Sequence, residues 1–195
     1  MHVPSHFDDS RKAILSTARE IYARLVYSHK THEFEKDLIA HRIERVKWVR
    51  ICTAVLTFVF ATLTFAKFGD PWDKIIQVLT VLFGAFSAAQ AAFEKEFVSE
   101  KDVDSQRQAA KELLGLRERF LLLIGRSYDP QTSNAELQSN LAQLTEALTQ
   151  AYKLAPETTP KAYGAARNAL QKDEALTFSD LEIDKFLPPQ LRVVP

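Results

Sequence analysis

Only one of the 195 residues is a cysteine, Cys52, and only five are glycines. A lone thiol excludes an internal disulfide and any cysteine-based zinc site, which leaves Cys52 as a small packing residue. Few glycines, together with an absence of strand-like alternation, point to helices. Proline is missing between Pro4 and Pro71, so nothing in that stretch has to break a helix. Neither sign of charge is in excess: 25 basic residues balance 25 acidic ones, and no nucleic-acid partner is expected. There is no glycine-rich phosphate loop, no Gly-x-Ser-x-Gly elbow and no nucleophile–base set, so neither an enzyme nor a cofactor is expected. The opening Met1-His-Val-Pro-Ser-His-Phe-Asp-Asp9 lacks an apolar core. A cleaved signal peptide is therefore not expected, and the first apolar run must itself direct insertion.

What the chain does have is two uncharged apolar runs, Ile51–Ala66 and Ile75–Phe93. The first lengthens if counted from Trp48, with Arg50 reaching back to the interface. At helical rise the runs reach about 24–29 Å, close to the hydrocarbon thickness of a bilayer. The expectation is a transmembrane hairpin with helices at about 48–66 and 75–93. A soluble bundle with an unusually apolar central hairpin is the alternative. Arg42, Arg45, Lys47 and Arg50 precede the first run, Lys95 and Lys101 follow the second, and the turn holds only Lys67 and Lys74. That bias places both termini in the cytoplasm, with Trp48 and Trp72 at the two interfaces. The basic edge from Arg42 to Arg50 suits anionic lipid headgroups, or it serves as a topology signal alone.

The hairpin is expected to be part of a longer helical plan. A helix starting near Asp8 or Asp9 carries a seam of Ile14, Ala18, Ile21 and Leu25. The second membrane helix is expected to continue through Glu94–Glu112 into a matching seam of Ala109, Leu113, Leu116, Phe120 and Leu123, ending in an all-round apolar Phe120–Ile124. Together they make an antiparallel stalk whose polar middle, Ser28–Asp37 against Ser105–Gln108, is looser, wet, or closed only on oligomerisation. Residues 1–126 then form the stalk and hairpin, and 127–195 a small helical bundle packing on it. In the tail, Ser133-x-x-Glu136 and Ser179-x-x-Glu182 read as capping boxes, and Pro160 opens a helix through Tyr163, Ala166 and Leu170. At the turn, Gly69 suits a left-handed cap, Asp70 an N-cap, Pro71 a first helical position and Asp73 the return arm of a capping box.

Candidate functional positions lie mostly in the hairpin. Gln77, Thr80, Gly84, Ser87 and Ala91 share one face of the second helix, with a looser counterpart in Thr53, Thr57, Ala61 and Thr64. Such a face lines an aqueous pore after oligomerisation, or it lets helices pack closely, as Gly84-x-x-x-Ala88-x-x-x-Ala92 does on a neighbouring face. No acid, lysine or histidine lies deep in either run, which argues against a proton relay. Asp70 and Asp73 form a cation-attracting mouth or simply cap. His29 and His32, with Glu33, have metal-ligand spacing, but a solvated face explains them and no metal is expected.

The Tyr27-Ser-His-Lys30 approach, the basic edge and the two runs resemble the SLATT family, two-transmembrane effectors found beside cyclic-oligonucleotide synthases (SMODS) and SLOG sensing domains in bacterial conflict systems. The likeness covers Tyr22–Ile124 and leaves the tail from Ser127 unplaced. It implies an inner-membrane effector that oligomerises and forms a pore or disrupts the membrane when a nucleotide-signalling synthase or sensor partner activates it. Cell death or dormancy then limits phage spread. The expected partners are thus membrane lipid, further copies of the chain and that sensor. The alternatives are a membrane-anchored scaffold recruiting cytoplasmic partners and a constitutive cation channel with an Asp70/Asp73 mouth.

Overall fold

The computed structural model describes residues 9–66, 68–97, 99–170 and 180–192, and every α-helix or strand assigned among them is an α-helix. In chain order these are α1 (Asp9–Leu63), α2 (Trp72–Phe97), α3 (Glu100–Arg126), α4 (Asn134–Leu154), α5 (Pro160–Leu170) and α6 (Asp180–Phe186). A short 3-10 turn, Pro189–Leu191, follows. Contacts group the chain into two compact units, one from Met1–Lys36 with Asp104–Pro195 and the other Asp37–Val103.

In the first unit both expected seams are buried to their last member. Ile14, Ala18, Ile21 and Leu25 of α1 join Ala109, Leu113, Leu116, Phe120 and Leu123 of α3 among the buried residues. The pairing is antiparallel: Arg11 reaches Ser127 O, His29 reaches Ala110 O and His32 reaches Gln106. Leu137 and Leu148 of α4, with Ile183 and Leu187, complete the same apolar cluster. One position departs from expectation. Leu122 is 69% exposed, because α3 stays helical and turns that side of Phe120–Ile124 away from its neighbours.

Buried charge holds the C-terminal segment to α1. The Arg19 guanidinium donates to Asp184 Oδ1 at 2.7 Å and to Leu191 O at 3.1 Å, and the two ionic side chains are only 3% and 6% exposed. Tyr22 OH donates to Phe186 O at 2.8 Å. Near the start of α1, Arg11 donates to Asn134 Oδ1 and to the carbonyls of Ser127, Asp129 and Thr132, fixing the connection before α4. Ser133 caps α4 as expected, its Oγ accepting from Glu136 N–H at 3.2 Å. Ser179 of the second capping box lies outside the described residues.

The expected continuous second helix is in fact two, α2 ending at Phe97 and α3 beginning at Glu100. Ser99-Glu-Lys-Asp102 is itself a helix-start pattern, with Asp102 N–H bonded to Ser99 O at 3.1 Å and acids in the first turn of α3. The first helix also ends early, at Leu63, where the chain tightens into three-residue hydrogen bonds, Phe65 to Thr62 and Ala66 to Leu63. The second starts early, at Trp72.

Removing one partner of a buried ion pair strands the other, so Arg19→Ala or Asp184→Ala is expected to cost about 3–5 kcal/mol. The Arg19→Met/Asp184→Leu double variant is expected to lose much less. Chemical denaturation of the detergent-solubilised protein, followed by circular dichroism, measures both.

Candidate functional site

The second unit is built around the hairpin. α1 and α2 are both long and apolar enough to cross a membrane, and only 6% of each most apolar window is buried within the chain. Large side chains such as Phe58, Val81 and Phe86 point outward, which suits hydrocarbon and not water. Between the helices the Phe60 and Phe83 rings stack at 5.4 Å with planes 10° apart. Thr53 is buried, and Thr57, Ala61, Thr80, Gly84 and Ser87 are half-buried, whereas Thr64, Gln77 and Ala91 are exposed. The sequence-defined stripe is therefore divided. Most of it lies on the shielded side of the hairpin, with Gln77 and Ala91 outside. Cys52 is exposed and does not pack within the hairpin, contrary to its expected role.

The hydroxyls in this region are satisfied locally. Thr53, Thr57 and Thr80 donate to the carbonyls of Val49, Thr53 and Ile76, four residues back, at 2.6–2.8 Å. Thr64 bonds Ala61 O at 2.6 Å. A threonine bonded this way enters an apolar medium at little cost. A Cβ added at Gly84 would meet nothing within 4 Å, so nothing within the chain requires glycine there.

At the turn, Gly69 adopts a φ of 86°, the left-handed conformation expected of it. The capping partners differ from expectation. Asp73 Oδ1 accepts from Phe68 N–H at 2.9 Å, while Asp70 pairs with Lys74 at 2.8 Å, and Pro71 lies just before the helix. Both carboxylates thus serve the turn itself. Arg42, Arg45, Lys47 and Arg50 are exposed, and the Lys47–Glu100 pair at 3.3 Å is a weak, solvated one.

Sequence reasoning missed a polar layer in the first unit. His29 and His32 do not face solvent; both are buried against α3. Carbonyl oxygens only accept, so His29 Nδ1 donates to Ala110 O at 3.0 Å. Gln106 Nε2 donates to Glu157 O at 2.8 Å, which turns its Oε1 to accept from His32 Nδ1 at 2.6 Å. Glu35, also buried, accepts from Thr159 N–H at 2.7 Å and Thr159 Oγ1 at 2.6 Å. Thr159 in turn accepts from Ala162 N–H and caps α5. The middle is thus tightly hydrogen-bonded rather than loose, with His29, His32, Glu35 and Gln106 buried. Its signal was the 3-3 spacing of His29, His32 and Glu35, a stripe in register with the Ile14–Leu25 seam. Among the described residues no group of three or more metal-ligating side chains occurs.

Three groups in this unit have shifted pKa values. Burial raises the Tyr22 phenol, with Arg117 opposing and Glu118 adding, and burial likewise raises Tyr128. Burial alone would raise Glu33, but the Lys30 hydrogen bond and the charges of His29, Lys30 and Lys36 outweigh it and hold the carboxyl below its usual range.

Taken together, the described residues form an all-helical protein, and among them two helices are long and apolar enough to cross a membrane. The chain belongs to the SMODS and SLOG-associating 2TM effector domain family 4, whose model matches residues 14–182. The match runs through α4 and α5 and ends at residue 182, so most of the tail lies within the family domain. No curated protein and no solved structure matches the chain.

Two outcomes follow from this geometry. Gly84→Ala is expected to leave stability unchanged or raise it by up to about 1 kcal/mol through helix propensity, measured by thermal melting in detergent. For the phenols the folded pKa lies above the unfolded one, so their contribution is whole below pH 10 and is lost as pH rises beyond it. Denaturation midpoints are therefore expected to fall above pH 10, less steeply in Tyr22→Phe.

Proposed function

We propose that this two-transmembrane effector acts in a bacterial conflict system by oligomerising in the inner membrane and opening a pore when a partner that makes or senses a nucleotide signal engages it. The observation that carries this reading is the hairpin itself. Its outward faces are largely apolar and uncovered by the chain, while Thr53, Thr57, Thr80, Gly84 and Ser87 are at least partly shielded. Assembly of several hairpins, with α2 turned so that Thr80, Gly84 and Ser87 join Gln77 on a common surface, gives a polar lumen. Both termini lie in the cytoplasm in this reading, as the basic edge from Arg42 to Arg50 favours. The unit holding the buried seams and the polar layer is the regulatory element, and the protein catalyses no reaction.

A membrane-anchored scaffold is the second reading, and one observation favours it. Thr53, Thr57 and Thr80 satisfy their hydroxyls on their own helices and require no water. A constitutive cation channel has less support, because Asp70 and Asp73 are engaged by Lys74 and Phe68 N–H.

Membrane potential, read with a voltage-sensitive dye in bacteria expressing the chain with its partner, tests the pore. Depolarisation is expected from the native chain, and its loss from the Gln77→Leu/Thr80→Leu/Ser87→Leu variant at equal membrane abundance. Depolarisation that survives in the variant removes the lining. A chain that keeps its cellular effect after the hairpin is exchanged for an unrelated one is a scaffold.

A further inference from the structure

Burying His32, Gln106 and Glu35 is costly unless each finds a partner: His32 bonds Gln106, and Gln106 and Glu35 find theirs on one connection. Gln106 holds Glu157 by its carbonyl, and Glu35 holds Thr159 by its N–H and hydroxyl. The α4–α5 connection is thereby pinned at two points. What it encloses with α1 is a cleft of about 380 Å³, lined by Tyr27, Ser28, His32, Tyr152, Glu157 and Tyr163 among others. That volume is within the range of small-molecule sites.

The lining has a definite electrostatic sign. Three tyrosines, whose rings carry negative π faces, border the cleft, and Glu157 is the acidic residue among its lining. Tyr152 and Ala155 stand at the C-terminal end of α4, the negative pole of a 21-residue helix. No lysine or arginine is among the lining residues, and Lys153, in the same last turn, does not line the cleft. An anion would enter this space without a counter-charge. A compact, weakly hydrated cation would meet aromatic faces, a helix pole and a carboxylate together.

We propose that this cleft binds a small organic ammonium ion, of the trimethylammonium type, and that the buried polar layer exists to hold its wall in place. Tyr152 and Tyr163, both partly exposed, form the mouth, and the buried Tyr27 forms the back. The Tyr152 hydroxyl lies 3.0 Å from Ser28 Oγ, which fixes the ring across the opening. The cation arrives either free or as the headgroup of a phosphocholine, and Glu157 disfavours the second because a phosphate would follow the ammonium in.

Calorimetric titration of the full chain in a maltoside detergent tests this with choline, with its uncharged isostere 3,3-dimethyl-1-butanol, and with glycerophosphocholine. Choline is expected to bind and the isostere to bind at least tenfold more weakly. Glycerophosphocholine weaker than choline identifies the free ion as the ligand, and equal binding identifies the headgroup. Tyr152→Leu and Glu157→Gln are each expected to weaken choline about tenfold, whereas Tyr152→Phe, which keeps the ring, retains it. Melting curves matching the native chain confirm that the variants are folded. No choline binding at millimolar concentration, equal binding of the isostere, or full binding by folded Tyr152→Leu would overturn the proposal.

Discussion

His32 donates to Gln106, Gln106 donates to the backbone of Glu157, and two residues further on Glu35 takes hold of Thr159. This bridge of buried hydrogen bonds ties three separate stretches of chain, α1, α3 and the α4–α5 connection, at a level where the apolar seams have run out. Apolar packing is tolerant of sliding, because one methyl group replaces another at little cost. A buried imidazole facing an amide is not, since a slip of one residue leaves each without a partner. Register between α1 and α3 is thus set by polar groups and held by Phe120 and its apolar neighbours.

Much of the fold could be read from residue spacing. The seams on α1 and α3 obey strict four-three alternation, and every one of their named members is buried. The hairpin declared itself through length and lack of charge, and Gly69 through the need for a left-handed residue at a tight turn. The polar layer was harder to see because histidine, glutamate and glutamine are the residue types that an exposed helix face also carries. Their identity says nothing about burial, and only their place in the seam's own stripe does. The break before Glu100 was hidden for a different reason. Hydropathy changes smoothly from the membrane run into the charged segment, so the Ser99-x-x-Asp102 start was overshadowed by a continuous helical pattern.

Within the hairpin, composition identified the residues and the fold decided their company. Thr80, Gly84 and Ser87 fall on the shielded side, while Gln77, one helical step away, does not. A stripe at ideal spacing drifts around a straight helix, so its two ends need not share a surroundings. The family match defines a two-transmembrane effector domain and reaches into the tail as far as residue 182, so it takes in α4 and α5 and stops just short of Asp184, the partner of Arg19. Helices α4 and α5 are therefore part of the family domain, and Leu137 and Leu148 of α4 share the apolar cluster of α1.

The distribution of indole rings has a practical result. The chain has two tryptophans, Trp48 and Trp72, at opposite ends of the first membrane run and the turn, 60% and 61% exposed. Both belong to the hairpin unit, and the other unit holds tyrosines but no indole. Emission excited at the red edge of the spectrum thus comes solely from the hairpin unit, whereas the near-ultraviolet dichroism of tyrosine arises chiefly where Tyr22, Tyr27 and Tyr128 are packed. Nature has given each half of the molecule its own optical label, so insertion and packing can be followed separately in one unmodified sample.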